Sequence, residues 1–196
     1  MREALEAMTR ALLAAQTTRD LETGGHTPRV RRLALRLARE LSLTGDDLRA
    51  VEYGALLHDI GKIGTPDRVL RKPGPHTPAE KSVMRGHVAA GALLLRSLGF
   101  PESIVTVVEQ HHERWDGAGY PRSLRRYEIA PAARCFQVAD ALDAILSDRV
   151  YRRARSFDAA RAQIEHGGGK QFDPEAVAAF LRVPQAEWLE LFHGGG

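Results

Sequence analysis

Apolar residues recur at helical spacing along almost the whole chain. Ala4, Leu5, Met8, Leu12 and Leu13 form a first stripe between residues 3 and 18. Val30, Leu33, Ala34, Leu37 and Leu41 form a second, and Pro28 stands where a proline can open that helix at its first position. Leu48, Val51, Ala55 and Leu56 carry a third stripe into His58-Asp59, with Thr44 as its expected N-cap. Between the first two stripes, Gly24 and Gly25 each cost a helix about 1 kcal/mol, so a turn is predicted there.

The pattern breaks over residues 64–76, where Pro66, Pro73, Gly74 and Pro75 predict a loop. Thr77-Pro78-Ala79-Glu80 then reads as a capping box with proline at the first helical position. That helix is predicted to carry His87 and run to about Ser97, with Gly99 as its stop. Pro101 opens another, with Ile104, Val105, Val107 and Val108 apolar and His111-His112 at its end. A loop over residues 113–121 precedes a helix from Pro131 through Ile145 that holds Asp140. Ser156 and Asp173 look like the caps of two last helices. No series of alternating strands appears. The expectation is an all-α domain of seven to nine helices over residues 1–192, with 193–196 a disordered glycine tail.

Composition narrows the function. With 28 basic residues against 25 acidic ones, the formal net charge is +3, and the arginines are interleaved with acids as on solvated helix faces. Arg29 to Arg39 is expected to be such a face. Nucleic-acid binding is not indicated, whereas a small anionic substrate suits a local basic site. No apolar run approaches the roughly 18 residues of a membrane span. The first residues lack the apolar core of a signal peptide, and Cys135 has no partner for a disulfide. A cytoplasmic protein is expected.

The chemistry concentrates in one residue class. Glu22, His26, His58, Asp59, His87, His111, His112 and Asp140 lie on different predicted helices or helix ends, as a metal site in a helical core requires. Asp59 and Asp140 sit in apolar stretches, where a carboxylate needs a partner. Glu22 reads equally as a ligand or as a solvated acid near Arg19. Asp143 reads equally as a site residue or as a helix-surface acid paired with an arginine. Trp115 and Tyr120 read as loop-packing aromatics, with Tyr120 also able to stack on a base. Cys135 reads as core.

His58-Asp59 with Gly61-Lys62-Ile63-Gly64, the run His111-His112-Glu113-Arg114-Trp115-Asp116-Gly117, and Gly119-Tyr120-Pro121 together resemble the HD-GYP family, a branch of the HD metal-dependent phosphohydrolases. Lys72-Pro73-Gly74, His87 with Gly91, Asp140-Ala141-Leu142-Asp143-Ala144, Asp148-Arg149 with Tyr151, and Phe172-Asp173-Pro174 extend the resemblance from about Thr9 to about Arg182. It implies an HD-domain-like helical bundle that hydrolyses cyclic di-GMP to pGpG, GMP or both. Two divalent ions are implied, Fe or Mn, with a third where Glu22 takes part. By this resemblance His26, His58, Asp59 and Asp140 would bind one metal, and Asp59 would bridge to a second held by His87, His111 and His112. Lys62 would contact the scissile phosphate. Arg149 and Arg152 would hold the other phosphate or a guanine, and Tyr120 would flank the substrate; Asp143 is a further candidate for substrate contact, and no general acid is evident for the leaving oxygen beyond Asp143 or a metal-bound water as candidates. The Gly119-Tyr120-Pro121 loop is also implied as a surface for a protein partner.

The chemistry agrees: two metals about 3.5–4 Å apart can lower the pKa of a water and neutralise the leaving oxygen of a phosphodiester. If His87 lay more than about two metal–ligand lengths from Asp59, that reading would fail. The chain departs from the family pattern at His76, at Arg125-Arg126-Tyr127 where a glycine is usual, at Ala130 and at Cys135. The alternatives are another HD-type hydrolase, acting on a mixed cyclic dinucleotide or a mononucleotide, and a docking module without turnover.

Overall fold

The computed structural model describes residues 2–19, 23–148 and 153–194. Among them it is all α, with no strand beyond one isolated bridge between Gly168 and Phe172. The helices are α1 (Arg2–Arg19), α2 (Thr23–Glu40), α3 (Gly45–Leu57), a single turn α4 (Asp67–Leu70), α5 (Pro78–Arg85), α6 (His87–Ser97), α7 (Glu102–Gln110), α8 (Pro131–Leu146), α9 (Phe157–Gly167), α10 (Pro174–Arg182) and α11 (Gln185–His193). Short 3₁₀ turns span Ile60–Gly64 and Arg126–Glu128.

The all-α expectation holds, but the helices outnumber the seven to nine predicted. The loop over 64–76 contains α4. The single helix predicted from Pro78 to Ser97 is broken at Gly86, which caps α5 and precedes α6. The C-terminal region folds as three helices, since Pro184 opens α11 after α10 ends. His193, expected in a disordered tail, closes α11, and Gly194 follows in the left-handed conformation at φ 74°.

Other boundaries were set by signals that compete. α2 begins at Thr23, so Pro28 lies inside it, His26 sits on its first turns, and Gly24 and Gly25, where a turn was predicted, are helical. Thr44 takes the N-cap position of α3 in extended backbone, yet its side chain makes no cap hydrogen bond. Thr77 and Glu80 form the reciprocal capping box, and the side chains of Ser156 and Asp173 cap α9 and α10 as expected.

Two apolar clusters form the interior. One joins α2, α8, α9, α10 and α11 around Leu33, Leu37, Phe136, Phe180 and Trp188. The other joins α6 and α7 to the Ile60–Gly64 turn around Leu57, Ile60, Leu95, Ile104 and Val108. α3 stands between them, giving Ala50, Val51 and Ala55 to the first and Tyr53 and Leu57 to the second. Each fully buried Leu, Ile or Phe contributes about 1.5–3 kcal/mol over its exposed state, which drives both clusters together across α3.

The arginines of α2 are a solvated face only in part: Arg39 is exposed, while Arg29, Arg31, Arg32 and Arg36 are half-buried. Arg31 pairs with Glu52, Arg36 with Glu40 and Glu187, and Arg32 donates to the carbonyl of Leu191 at 2.9 Å. α11 lies over this side of α2, which converts part of the predicted solvent face into an interface.

Candidate metal centre

α3 runs out at Leu57, and His58 and Asp59 follow where its axis meets both clusters. The next turn is pressed against α6. A β-carbon placed on Gly61 would lie 1.9 Å from the carbonyl oxygen of His87 and 2.5 Å from the amide of Gly91. Only glycine permits that approach. That approach brings Asp59 within reach of His87, the first residue of α6.

The donors fall into two sets. Nε2 of His87 is 3.3 Å from Nε2 of His111, and His112 follows at the end of α7. Nε2 of His26 on α2 is 3.4 Å from Nε2 of His58 and 3.6 Å from Asp140 Oδ1 on α8. Within each set of three, the donor atoms lie within 4.8 Å of one another. Asp59 touches both: Oδ1 is 3.2 Å from His87 Nε2 and 4.0 Å from His111 Nε2, while Oδ2 is 3.1 Å from His58 Nε2. Donors ligating one ion at about 2.1 Å lie roughly 3–4 Å apart, so these spacings pass the distance condition set from the sequence.

The far side of each ring fixes its proton. Nδ1 of His58 donates to Ala55 O at 3.0 Å, that of His87 to Met84 O at 2.7 Å, and that of His111 to Val108 O at 2.7 Å. A carbonyl only accepts, so the proton is on Nδ1 and Nε2 offers a lone pair to the centre. His26 instead donates Nδ1 to Asp143 Oδ2 at 2.6 Å. Facing lone pairs 3.3–3.4 Å apart have no hydrogen bond to make. They converge as they would around a cation, and imidazole with carboxylate suits Fe, Mn or Zn better than Mg. The residues present therefore fit divalent ions.

The electrostatics of the centre follow from its burial and from the charges around Asp59. Burial pushes the Asp59 carboxyl up, but Lys62 and His58 outweigh it and hold it well below the usual carboxylate range. Burial lowers His58, yet Asp59 overcomes this and raises it. His111 is held well below the ordinary imidazole value, first by burial and then by His112. Burial also pushes His112 down to about 4, leaving it neutral and able to ligate near pH 7.

Asp143 does not face solvent or an open cleft. It is 1% exposed and lies behind His26. Arg29 Nε donates to Oδ1 at 2.8 Å, and burial, which alone would raise the carboxyl, is overcome by His26 and Arg29, so it is held low. A carboxyl so placed is a poor proton donor, and substrate contact by Asp143 is corrected to contact with a site histidine. Sequence reasoning missed Arg29; its signal was the spacing, because His26–Arg29 and Asp140–Asp143 are each one helical turn apart.

Lys62 places its ammonium 2.7 Å from Asp59 Oδ2. Glu22, Arg149 and Arg152 lie outside the described residues. The loop after α7 folds back on the centre: buried Glu113 accepts from the amides of Arg122 at 2.7 Å and Leu124 at 2.9 Å. The Tyr120 amide donates to His112 O, and the Tyr120 ring stacks on His112 at 4.7 Å and 23°. Burial pushes the Tyr120 hydroxyl up to about 12. Trp115 and Cys135 are buried, as expected of packing residues. Beside the centre opens a cleft of about 400 Å³ bounded by Arg85, His112, Tyr120, Asp140, Ala144 and Gln163.

The chain belongs to the HD domain family, whose model matches residues 6–176. It is 41% identical over 167 residues to a cyclic di-GMP phosphodiesterase of Thermotoga maritima, covering 84% of this chain and 45% of that protein. It is 40% identical over 183 residues to the cyclic di-GMP phosphodiesterase response regulator RpfG of Xanthomonas campestris, covering 92% of this chain and 47% of that one. The chain thus spans about half the length of these relatives, and they bear out the HD-GYP resemblance. Among solved structures, a cyclic GMP-AMP specific phosphodiesterase of Vibrio cholerae superposes with a TM-score of 0.69 at 18% identity, over 93% of this chain and 50% of that one, a likeness of fold. No helix among the described residues is long and apolar enough to cross a membrane.

Proposed function

We propose that the chain hydrolyses a phosphodiester bond of a cyclic dinucleotide, with cyclic di-GMP as substrate and pGpG, GMP or both as products. The observation that carries this reading is the pair of three-donor sets joined through Asp59. His26, His58 and Asp140 would hold one divalent ion, His87, His111 and His112 a second, and Asp59 would touch both. Fe or Mn suits the five imidazoles and two carboxylates. When bound, such ions supply Lewis acidity at the phosphate ester and lower the pKa of water.

The other roles belong to the chain itself. Lys62 holds an ammonium at the Asp59 edge, where it offsets the charge of the scissile phosphate as a point charge. Asp143 and Arg29 orient His26 so that Nε2 faces the centre. Tyr120 walls the cleft over His112 and limits water there. The names of the relatives in Thermotoga and Xanthomonas support the choice of cyclic di-GMP.

The test is a product assay on anaerobically purified chain loaded with Fe or Mn. Cyclic di-GMP, cyclic GMP-AMP and a mononucleotide are offered in parallel and products are separated by chromatography. Cyclic di-GMP should be consumed with the highest kcat/KM. Preference for cyclic GMP-AMP would move the substrate, and no turnover of any of the three by metal-loaded chain would overturn the reading.

A further inference from the structure

The described wall of the cleft beside the centre carries two cationic side chains, Arg85 and Arg114. Arg114 is committed: it makes a two-pronged pair with Asp116, Nε to Oδ1 at 3.0 Å and the second nitrogen to Oδ2 at 2.7 Å. Arg85 is not. Its guanidinium lies 4.7 Å from the centre of the Tyr120 ring, and it makes no ion pair or hydrogen bond with the described residues. Tyr120 in turn stacks on His112 at 4.7 Å. Arg85 therefore stands one aromatic ring away from a histidine of the centre, at the end of α5 and two residues before His87.

We infer that Arg85 is a specificity-determining residue that binds the second, uncut phosphodiester of a cyclic dinucleotide, alongside Arg149 and Arg152, to which the family resemblance gives that phosphate or a guanine. The inference rests on the proposed function and adds to it a contact the motifs do not contain. The chemistry is direct. A cyclic dinucleotide carries two phosphodiesters in one ring. With one at the metal centre, the other must lie elsewhere in the cleft, as an anion. A guanidinium presents five donors in a planar fork that fits two phosphate oxygens, and Arg85 has spent none of them on a carboxylate. The Tyr120 face orients the guanidinium through a cation–π contact, which leaves its N–H edge free to donate. Arg85 is exposed at a helix end, so its replacement should not disturb folding.

The test compares wild type with Arg85→Met and Arg85→Lys, all metal-loaded. Calorimetry measures binding of cyclic di-GMP, and steady-state kinetics measure cyclic di-GMP against bis(p-nitrophenyl) phosphate, which has a single phosphodiester. Loss of a charge-assisted contact predicts a Kd and KM for cyclic di-GMP about tenfold higher in Arg85→Met, with kcat moving much less. The preference for cyclic di-GMP over the small diester should fall by about the same factor. Arg85→Lys should recover part of it, and the salt dependence of Kd should be flatter in Arg85→Met than in wild type. An equal loss on both substrates, or an unchanged Kd and salt dependence, would overturn the inference. If wild type binds cyclic di-GMP without cutting it, the hydrolytic reading fails while Arg85 is still judged by Kd; if wild type does not bind it at all, the inference on Arg85 is overturned with it.

Discussion

The two donor sets differ in what orients them. In the set on α6 and α7, His87 and His111 are fixed by carbonyls three residues earlier in the chain, Met84 and Val108, and backed by the cluster around Ile60, Leu95 and Val108. In the set on α2 and α8, His26 is fixed by side chains: Asp143, held by Arg29, with Ser147 beside them. The first set comes ready with its helices. In the second, His58 is held the same way by Ala55 O, but His26 depends on a largely buried ion pair, and such a pair is costly once one partner is lost. His58 and Asp59, at the end of the helix that serves both clusters, join a backbone-built half to a side-chain-built half. The centre is therefore expected to fail in two separable ways.

The largest effect should come from the packing that holds the first set to Asp59. Gly61→Ala sets a methyl group against the backbone of α6, and overpacking of this kind costs about 1–3 kcal/mol or more. Thermal unfolding should show a markedly lower melting temperature, and metal analysis should show loss at both sets, because Asp59 moves away from His87. An unchanged melting temperature would mean that α6 yields freely.

Next comes the side-chain-built half. Asp143→Asn removes the charge behind His26, and partners of this kind typically change metal affinity by about 10–100-fold. Titration with Mn should show one site weakened by that factor and the other close to wild type. Equal weakening of both would erase the distinction between the halves.

Much of this was legible in the sequence, for identifiable reasons. The capping box at Thr77 and Glu80, the proline starts at Pro78 and Pro131, and the apolar stripes are local signals, and they located the helices. The donor residues were legible because histidine and aspartate in apolar runs need partners. Three things were not. The start of α2 at Thr23 went against two glycines, since packing of the helix outweighs their propensity cost of about 1 kcal/mol each. The partial burial of Arg32 and Arg36 depends on α11, which is distant in sequence. The role of Asp143 depends on which neighbour its helix face meets, and spacing alone left that open.

The smallest effect concerns the route into α6. Glu80 accepts from Lys72 and from the Thr77 amide, which together bring its carboxyl from an ordinary 4.5 down to about 2. A carboxyl lowered on folding adds stability that is complete above pH 4.5 and fades as pH falls toward 2. Glu80→Gln should therefore lower the melting temperature slightly at pH 7, with the gap to wild type narrowing toward pH 3. The gap should leave metal binding at His87 nearly unchanged, because α5 is separate from α6 past Gly86.

The central claim is that two donor sets share one carboxylate. The most direct measurement is the number of tightly bound Mn ions per chain in wild type and in Asp59→Asn, by metal analysis after equilibrium dialysis under anaerobic conditions. The account predicts two ions in wild type and loss of affinity at both sites in the variant. A single ion in wild type, or an Asp59→Asn chain that keeps both, would contradict it.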